Sequence, residues 1–112
     1  MHTPLRIQLT NQIIQIIEQA QPLVVVITRR DRDLGSQVRR ALSSVALNTA
    51  EGFGCAAGNA RLRFESARGS LYEAQTALRV AVAWGYLSAS DCALAFAAID
   101  KLAPRLFGLQ RP

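Results

Sequence analysis

Nearly all the positive charge in this sequence sits on arginine. There are 13 basic residues against 8 acids, a formal net charge of +5, and Lys101 is the single lysine. A guanidinium grips phosphate through a planar, two-pronged fork. The spacing of the arginines is therefore the first place to look for chemistry. Arg61, Arg68 and Arg79 are separated by seven and eleven residues. At about 100° per residue they fall on one line along a helix, with Tyr72 on that line and Glu65 close to it. The line stands roughly 110–120° from the apolar stripe of the same segment, so it lies outside a core. Three guanidiniums and an aromatic ring along a rod suit a phosphate backbone with a base stacked beside it. The plainer reading is a solvated face on which Glu65 pairs with Arg61 or Arg68. A second basic cluster, Arg29-Arg30-Asp31-Arg32-Asp33, is partly neutralised by its own acids. Arg39 and Arg40 follow a few residues later and complete the candidate phosphate contacts.

Other chemistry is harder to assemble. The single histidine is His2, placed where chain ends fray, so a histidine-based triad is not expected. The acids are scattered, with no Glu-x-x-His pair of the kind that builds a di-metal carboxylate site. Gly52-Phe53-Gly54 lacks the further glycines and the preceding strand of a phosphate-cradling loop. Cys55 and Cys92 have neither zinc-site nor disulfide-framework spacing, and two reduced thiols are expected. No stretch reaches the roughly 20 apolar residues that cross a bilayer, and the start of the chain lacks the order of a secretion signal. These features lead to the expectation of a non-enzymatic cytoplasmic protein with no cofactor, no metal and no membrane contact.

The elements that position these residues can be read from periodicity. The chain has 112 residues, 50% hydrophobic and 19% charged, with only 7 Gly and 4 Pro. That composition supports one packed domain over residues 1–112 and argues against a turn-rich β fold. Four apolar-periodic segments predict helices over roughly 4–29, 34–53, 59–84 and 89–107, placing the fold in the all-α class as an antiparallel up-down-up-down four-helix bundle. The first opens at Thr3-Pro4, with Thr3 as cap and Pro4 at the first helical position. It buries Leu9, Ile13, Ile16, Ile17 and Ala20. Leu23 to Thr28 is β-branched, but no second strand exists to pair with it, so it is read as a continuation of the helix beyond Pro22. Asp33 is the expected cap of the second helix, whose stripe is Leu34, Val38, Ala41, Leu42, Val45 and Thr49. Gly58 is placed in a loop, and Asn59 is the expected cap of the third helix, with Ala67, Leu71, Ala74, Leu78 and Ala81 inward. Gly85 after Trp84 is a helix stop signal. Ser88-Ala89-Ser90-Asp91 approximates a capping box for the fourth helix. That helix turns Cys92, Ala95, Phe96, Ile99, Leu102 and Leu106 inward and is expected to kink or end near Ala103, because Pro104 removes a donor. Residues 108–112 are expected to be loose.

Three features fall outside this scheme. Leu47 lies on the side of the second helix opposite its stripe, with Arg40, Ser44 and Glu51. Gly69 sits mid-helix, where glycine costs about 1 kcal/mol against alanine. A subunit interface and tight packing within one bundle both account for it at this stage. Trp84, Tyr86 and Phe96 gather at the turn between the third and fourth helices and are expected to join the core, a ligand pocket being the alternative, and Phe53 is placed to plug a bundle end.

The stretch Gln37-Val38-Arg39-Arg40-Ala41-Leu42-Ser43-Ser44-Val45-Ala46-Leu47-Asn48-Thr49-Ala50-Glu51-Gly52-Phe53-Gly54 resembles the signature of a bacterial family of small four-helix-bundle proteins. These are encoded within intervening sequences of large-subunit ribosomal RNA genes. A second block agrees: Ala67-Arg68-Gly69-Ser70-Leu71-Tyr72-Glu73-Ala74, then Leu78, and later Trp84-Gly85-Tyr86-Leu87. The similarity runs over nearly the whole chain. It extends to the accessory proteins of diversity-generating retroelements, which form homopentameric barrels and bind nucleic acid and a reverse transcriptase. The resemblance implies a homo-oligomer, a pentamer, with basic surfaces and no enzymatic activity. The motif residues Asn48, Glu51, Gly52, Gly69, Ser70 and Glu73, with Leu47, are then expected to serve packing, helix ends and subunit contacts. Thr49 stands where the family usually has a β-branched apolar residue. Pro22 and Pro104 are unusual inside helices, and the Cys55-Ala56-Ala57-Gly58 loop is less basic than is common. The resulting expectation is a nucleic-acid-binding oligomer of low sequence preference; a protein–protein adaptor whose charge serves solubility is the alternative.

Overall fold

The computed structural model describes residues 3–110, so His2 and the expectation attached to it lie outside the described residues. Among the described residues the regular structure is four helices: α1 (Leu5–Arg30), α2 (Arg32–Gly54), α3 (Ala57–Ala83) and α4 (Ala93–Leu109). The stripes read from the sequence do face inward. Leu9, Ile13, Ile16 and Ala20 of α1 and all six stripe residues of α2 are buried. So are all five of α3, and Ala95, Ile99, Leu102 and Leu106 of α4. Ile17 and Phe96 are half-buried against this core.

Neighbouring helices are tied at their flanks. Ser44 and Ser70 hydroxyls lie 2.8 Å apart across α2 and α3. Gln75 Nε2 donates to Asp100 Oδ1 across α3 and α4 at 3.1 Å. The two terminal nitrogens of Arg105 donate to Gln12 and Gln8 Oε1 across α4 and α1, at 2.8 and 3.1 Å. The closest association is between α2 and α3. The molecule measures 42 × 29 × 17 Å, so it is thin in one direction and much helix surface faces outward.

The helix ends depart from expectation in several places. Pro22 and Pro104 both lie within continuous helix. Each deprives one carbonyl of its donor, that of Glu18 or Asp100 one turn earlier, and both those residues are exposed, so water can replace the bond. The helix therefore does not end at Ala103, and residues 108 and 109 are helical rather than loose. Helix α1 begins at Leu5 with Pro4 as cap and no side-chain cap bond; Thr3 instead uses its carbonyl to accept from Gln8 Nε2 at 2.6 Å. The cap of α2 is Asp31, not Asp33: its extended backbone lets Oδ1 accept from the Leu34 amide at 3.0 Å, so the charged turn shrinks to one residue between helices. Likewise α3 starts at Ala57, taking Gly58 and Asn59 into its first turn, with no side-chain cap bond. Ser88 and Asp91 do form reciprocal bonds, Ser88 N–H to Asp91 Oδ2 at 3.0 Å and Asp91 N–H to Ser88 Oγ at 3.1 Å. They close a tight turn of i→i+3 bonds, and the α-helical ladder begins only at Ala93.

Candidate functional site

Start with the arginines. Arg61 and Arg79 are exposed on α3, as the helical line requires, while Arg68 is half-buried. The guanidinium carbon of Arg68 lies 4.7 Å from the ring centroid of Phe107 on α4, a cation–π contact, so this arginine stacks within the protomer. The expected pairing of Glu65 with Arg61 or Arg68 does not form. Among the described residues the ion pair present is Arg63 with Glu51, 3.1 Å apart.

A concave surface between α2 and α3 gathers Arg39, Arg40 and Arg63 around Ser43, Ser44, Asn48 and Glu51, with Leu47 beside them. Asn48 Nδ2 donates to the Ser44 carbonyl and hydroxyl at 3.0 and 2.9 Å. Ser44 Oγ thus accepts from Asn48 and shares a second hydrogen bond with the Ser70 hydroxyl. Three of the seven expected motif residues, Asn48, Ser70 and Glu51, form a polar seam along the junction of α2 and α3. Glu73 is exposed farther along α3. Arg63 was missed by sequence reasoning. Two residues from Arg61, it points to the opposite side of α3, and periodicity gives the angle from the core but not which neighbour stands there.

The motif glycines divide. Gly52 is buried, and a Cβ built on it would lie 2.5 Å from Phe64 Cε1, so its absent side chain makes room for that ring. Phe64 in turn meets Phe53 edge-on, with centroids 5.1 Å apart. Gly69 is different: a Cβ there would meet nothing within 4 Å. Tight packing within one bundle is thereby ruled out as the reason for a mid-helix glycine. Leu47, 65% exposed, and Leu62, 60% exposed, are also left outward by the α2 and α3 helices.

The end of the bundle carries the other basic cluster. Arg29, Arg30 and Arg32 flank Asp31 and are all exposed. Tyr86 O–H donates to Asp31 Oδ2 at 3.3 Å, and the Arg30 guanidinium carbon lies 5.4 Å from the Tyr86 ring centroid. Burial raises the Tyr86 phenol above its ordinary value, the Asp31 carboxylate and its hydrogen bond add to the rise, and Arg30 opposes it. The Ser88 amide and hydroxyl hold the Asp91 carboxyl below the usual range. Trp84, expected in the core, is 69% exposed. Leaving that much indole in water forgoes about 3 kcal/mol of burial.

Cys55 is exposed and Cys92 buried, both as free thiols. Burial pushes the Cys92 thiol up, and the Asp91 carboxylate adds to it. Among the described residues no three His, Cys, Asp or Glu side chains gather to hold a metal ion, and no helix is long and apolar enough to cross a membrane.

These features define a small all-α protein whose polar and basic groups lie on outward helix faces and at a bundle end. Residues 6–108 match the family model of the 23S rRNA-intervening sequence protein. The chain belongs to that family. Searches of curated proteins and of solved structures found no match.

Proposed function

We propose that this chain is a non-catalytic, homo-oligomeric bundle that binds RNA or DNA through arginine-lined surfaces with little sequence preference. The four helices run up-down-up-down, as the cross-helix bonds at both flanks and the short connections support. The oligomer is a pentamer and its protein partner a reverse transcriptase, both in keeping with the resemblance to retroelement accessory proteins. The protein acts in the cytoplasm.

One observation carries the nucleic-acid reading. Of 13 basic residues set against 8 acids, the described residues show one ion pair, and most of the arginines stand outward without a carboxylate. Cations left in that state neutralise phosphates and release counterions, which gives affinity without base readout. For assembly, the support is two outward positions: Gly69 of α3, which opens onto space, and Leu47 of α2, which opens onto water.

Binding to structured RNA and to duplex DNA at low and moderate salt tests the reading. Replacing Arg61, Arg68 and Arg79 by Ala, or Arg39, Arg40 and Arg63 by Ala, should weaken binding. Each triple change should flatten the salt dependence on duplex DNA by up to about 2.7 in log–log slope. Arg68 stacks on Phe107 and Arg63 pairs with Glu51, so each triple removes two free guanidiniums and one engaged one, and the two are expected to cost alike. Immeasurable affinity at low salt would leave the adaptor reading in its place. Light scattering on a sizing column tests the oligomer, and a monomer at micromolar concentration refutes it.

A further inference from the structure

We propose that the bundle end bearing Trp84 is a stacking platform for single-stranded nucleic acid, an unpaired base lying on the indole and its neighbouring phosphates on Arg30 and Arg32. The inference rests on the nucleic-acid reading above and adds to it the strandedness of the ligand and the place where it is held.

Trp84 is the last residue of the α3 turn, and its backbone is held fast. The Tyr86 amide donates to the Ala81 carbonyl at 2.9 Å and the Gly85 amide to Val82 at 3.0 Å, with Gly85 at φ +81°. That pair of bonds is a Schellman closure, which only a left-handed residue completes at low cost. Leu87 just beyond is buried and anchors the loop. The indole is thus presented outward from a fixed backbone.

The arginines reach the same end through Tyr86. Its hydroxyl bonds Asp31 and its ring lies under Arg30, so the α3–α4 turn and the α1–α2 connection are one structure. The nearby carboxylates accept from neutral donors, Asp31 from the Leu34 amide and Tyr86 and Asp91 from Ser88, and Asp31 still offsets part of the arginine charge. Asp33, in the first turn of α2, is the next acid along the chain, and it is exposed. None of Arg29, Arg30 and Arg32 enters an ion pair among the described residues.

An exposed ring two residues along the chain from Tyr86, which itself lies under Arg30, matches the way single strands are held: bases stack on aromatic faces while cations follow the backbone. Duplex bases are already stacked on one another and are not free to stack on an exposed indole.

Trp84 is the single tryptophan, so its emission reports directly on the platform. The full-length protein is titrated with oligo(U) and oligo(dT), and with a duplex of equal length. Tryptophan fluorescence is followed beside the anisotropy of a labelled strand. Saturable quenching by the single strands, and little by the duplex, is expected. Trp84→Ala should weaken single-strand binding roughly 5- to 150-fold, the range for losing one stacked base, while Trp84→Phe keeps part of it. The exposed site leaves the melting temperature of both variants near that of the parent. Anisotropy that reports binding while Trp84 emission stays unchanged, or Trp84→Ala binding like the parent, overturns the platform and leaves the nucleic-acid reading standing. An indole shielded from acrylamide in the free protein also overturns the platform. No binding to any strand or duplex overturns both.

Discussion

Replacing Gly69 by Ala separates two roles that a helix glycine can have. A Cβ at this position meets nothing within 4 Å inside the protomer. The substitution should therefore give the protomer the usual gain of alanine over glycine in a helix, about 1 kcal/mol. For 112 residues the unfolding entropy is roughly 0.24 kcal/mol/K, so the midpoint should rise by about 4 °C. At the proposed subunit contact the sign reverses. A methyl group pushed into a face that another backbone approaches costs about 1–3 kcal/mol, or roughly 5- to 150-fold in association. The prediction is a protomer that melts later and assembles less. Melting must be followed at concentrations where subunits are dispersed, because association itself raises the midpoint by mass action. Sedimentation velocity over a concentration series then reads assembly. A later midpoint with unchanged assembly places the contact elsewhere. An earlier midpoint shows that the protomer itself needs this glycine, and the reasoning from the open Cβ fails.

Two further substitutions probe the interior. Gly52→Ala drives a Cβ into the buried Phe64 ring and should lower stability by about 1–3 kcal/mol in a urea melt, with part of the loss recovered when Phe64→Leu is added; full stability in the single variant contradicts the packing described. Thr49 is 1% exposed and its Oγ1 has no hydrogen-bond partner among the described residues, so Thr49→Val should stabilise by about 1 kcal/mol, and a destabilised variant would show that the hydroxyl is satisfied after all.

The buried stripes were legible because a helix repeats its inward face every three or four residues, and the run from Val38 to Val45 or from Ala67 to Ala81 admits no other period. The ends were less so. Arg29 to Asp33 offers two carboxylates as caps, and only the backbone angles of Asp31 decide between them. Ser88 and Asp91 were read correctly as partners, but whether their bonds begin an α-helix or close a tighter turn depends on where Leu87 and Cys92 are buried. Trp84 was assigned to the core on its chemistry, yet the glycine that stops α3 also turns the chain under it and leaves the indole outside. Arg63 went unnoticed because its significance depends on the proximity of α2, a tertiary fact. For Gly69 the sequence left two explanations, and the empty space above its Cα removes one.

The outward surfaces differ in what holds them. Ser44 and Ser70 are among the shortest polar side chains, and their 2.8 Å contact requires α2 and α3 to approach closely. Buried alanines at 67, 74, 77 and 81 of α3 permit that approach. The α2–α3 face is therefore a stiff plate on which Ser70, Leu47 and Arg40 keep fixed relative positions, the condition under which a contact forms without a large ordering cost. The Trp84 end is fixed by a different device, a backbone closure at Gly85 and the Tyr86–Asp31 bond. Gly69 and Trp84 are 15 residues apart on one helix, roughly 22 Å by its rise. At that separation, with no shared partner, a change at one surface leaves the other energetically untouched. The proposed contact with a second copy along the side and the proposed polyanion site at the end are therefore separable, and neither surface competes with the core for apolar residues.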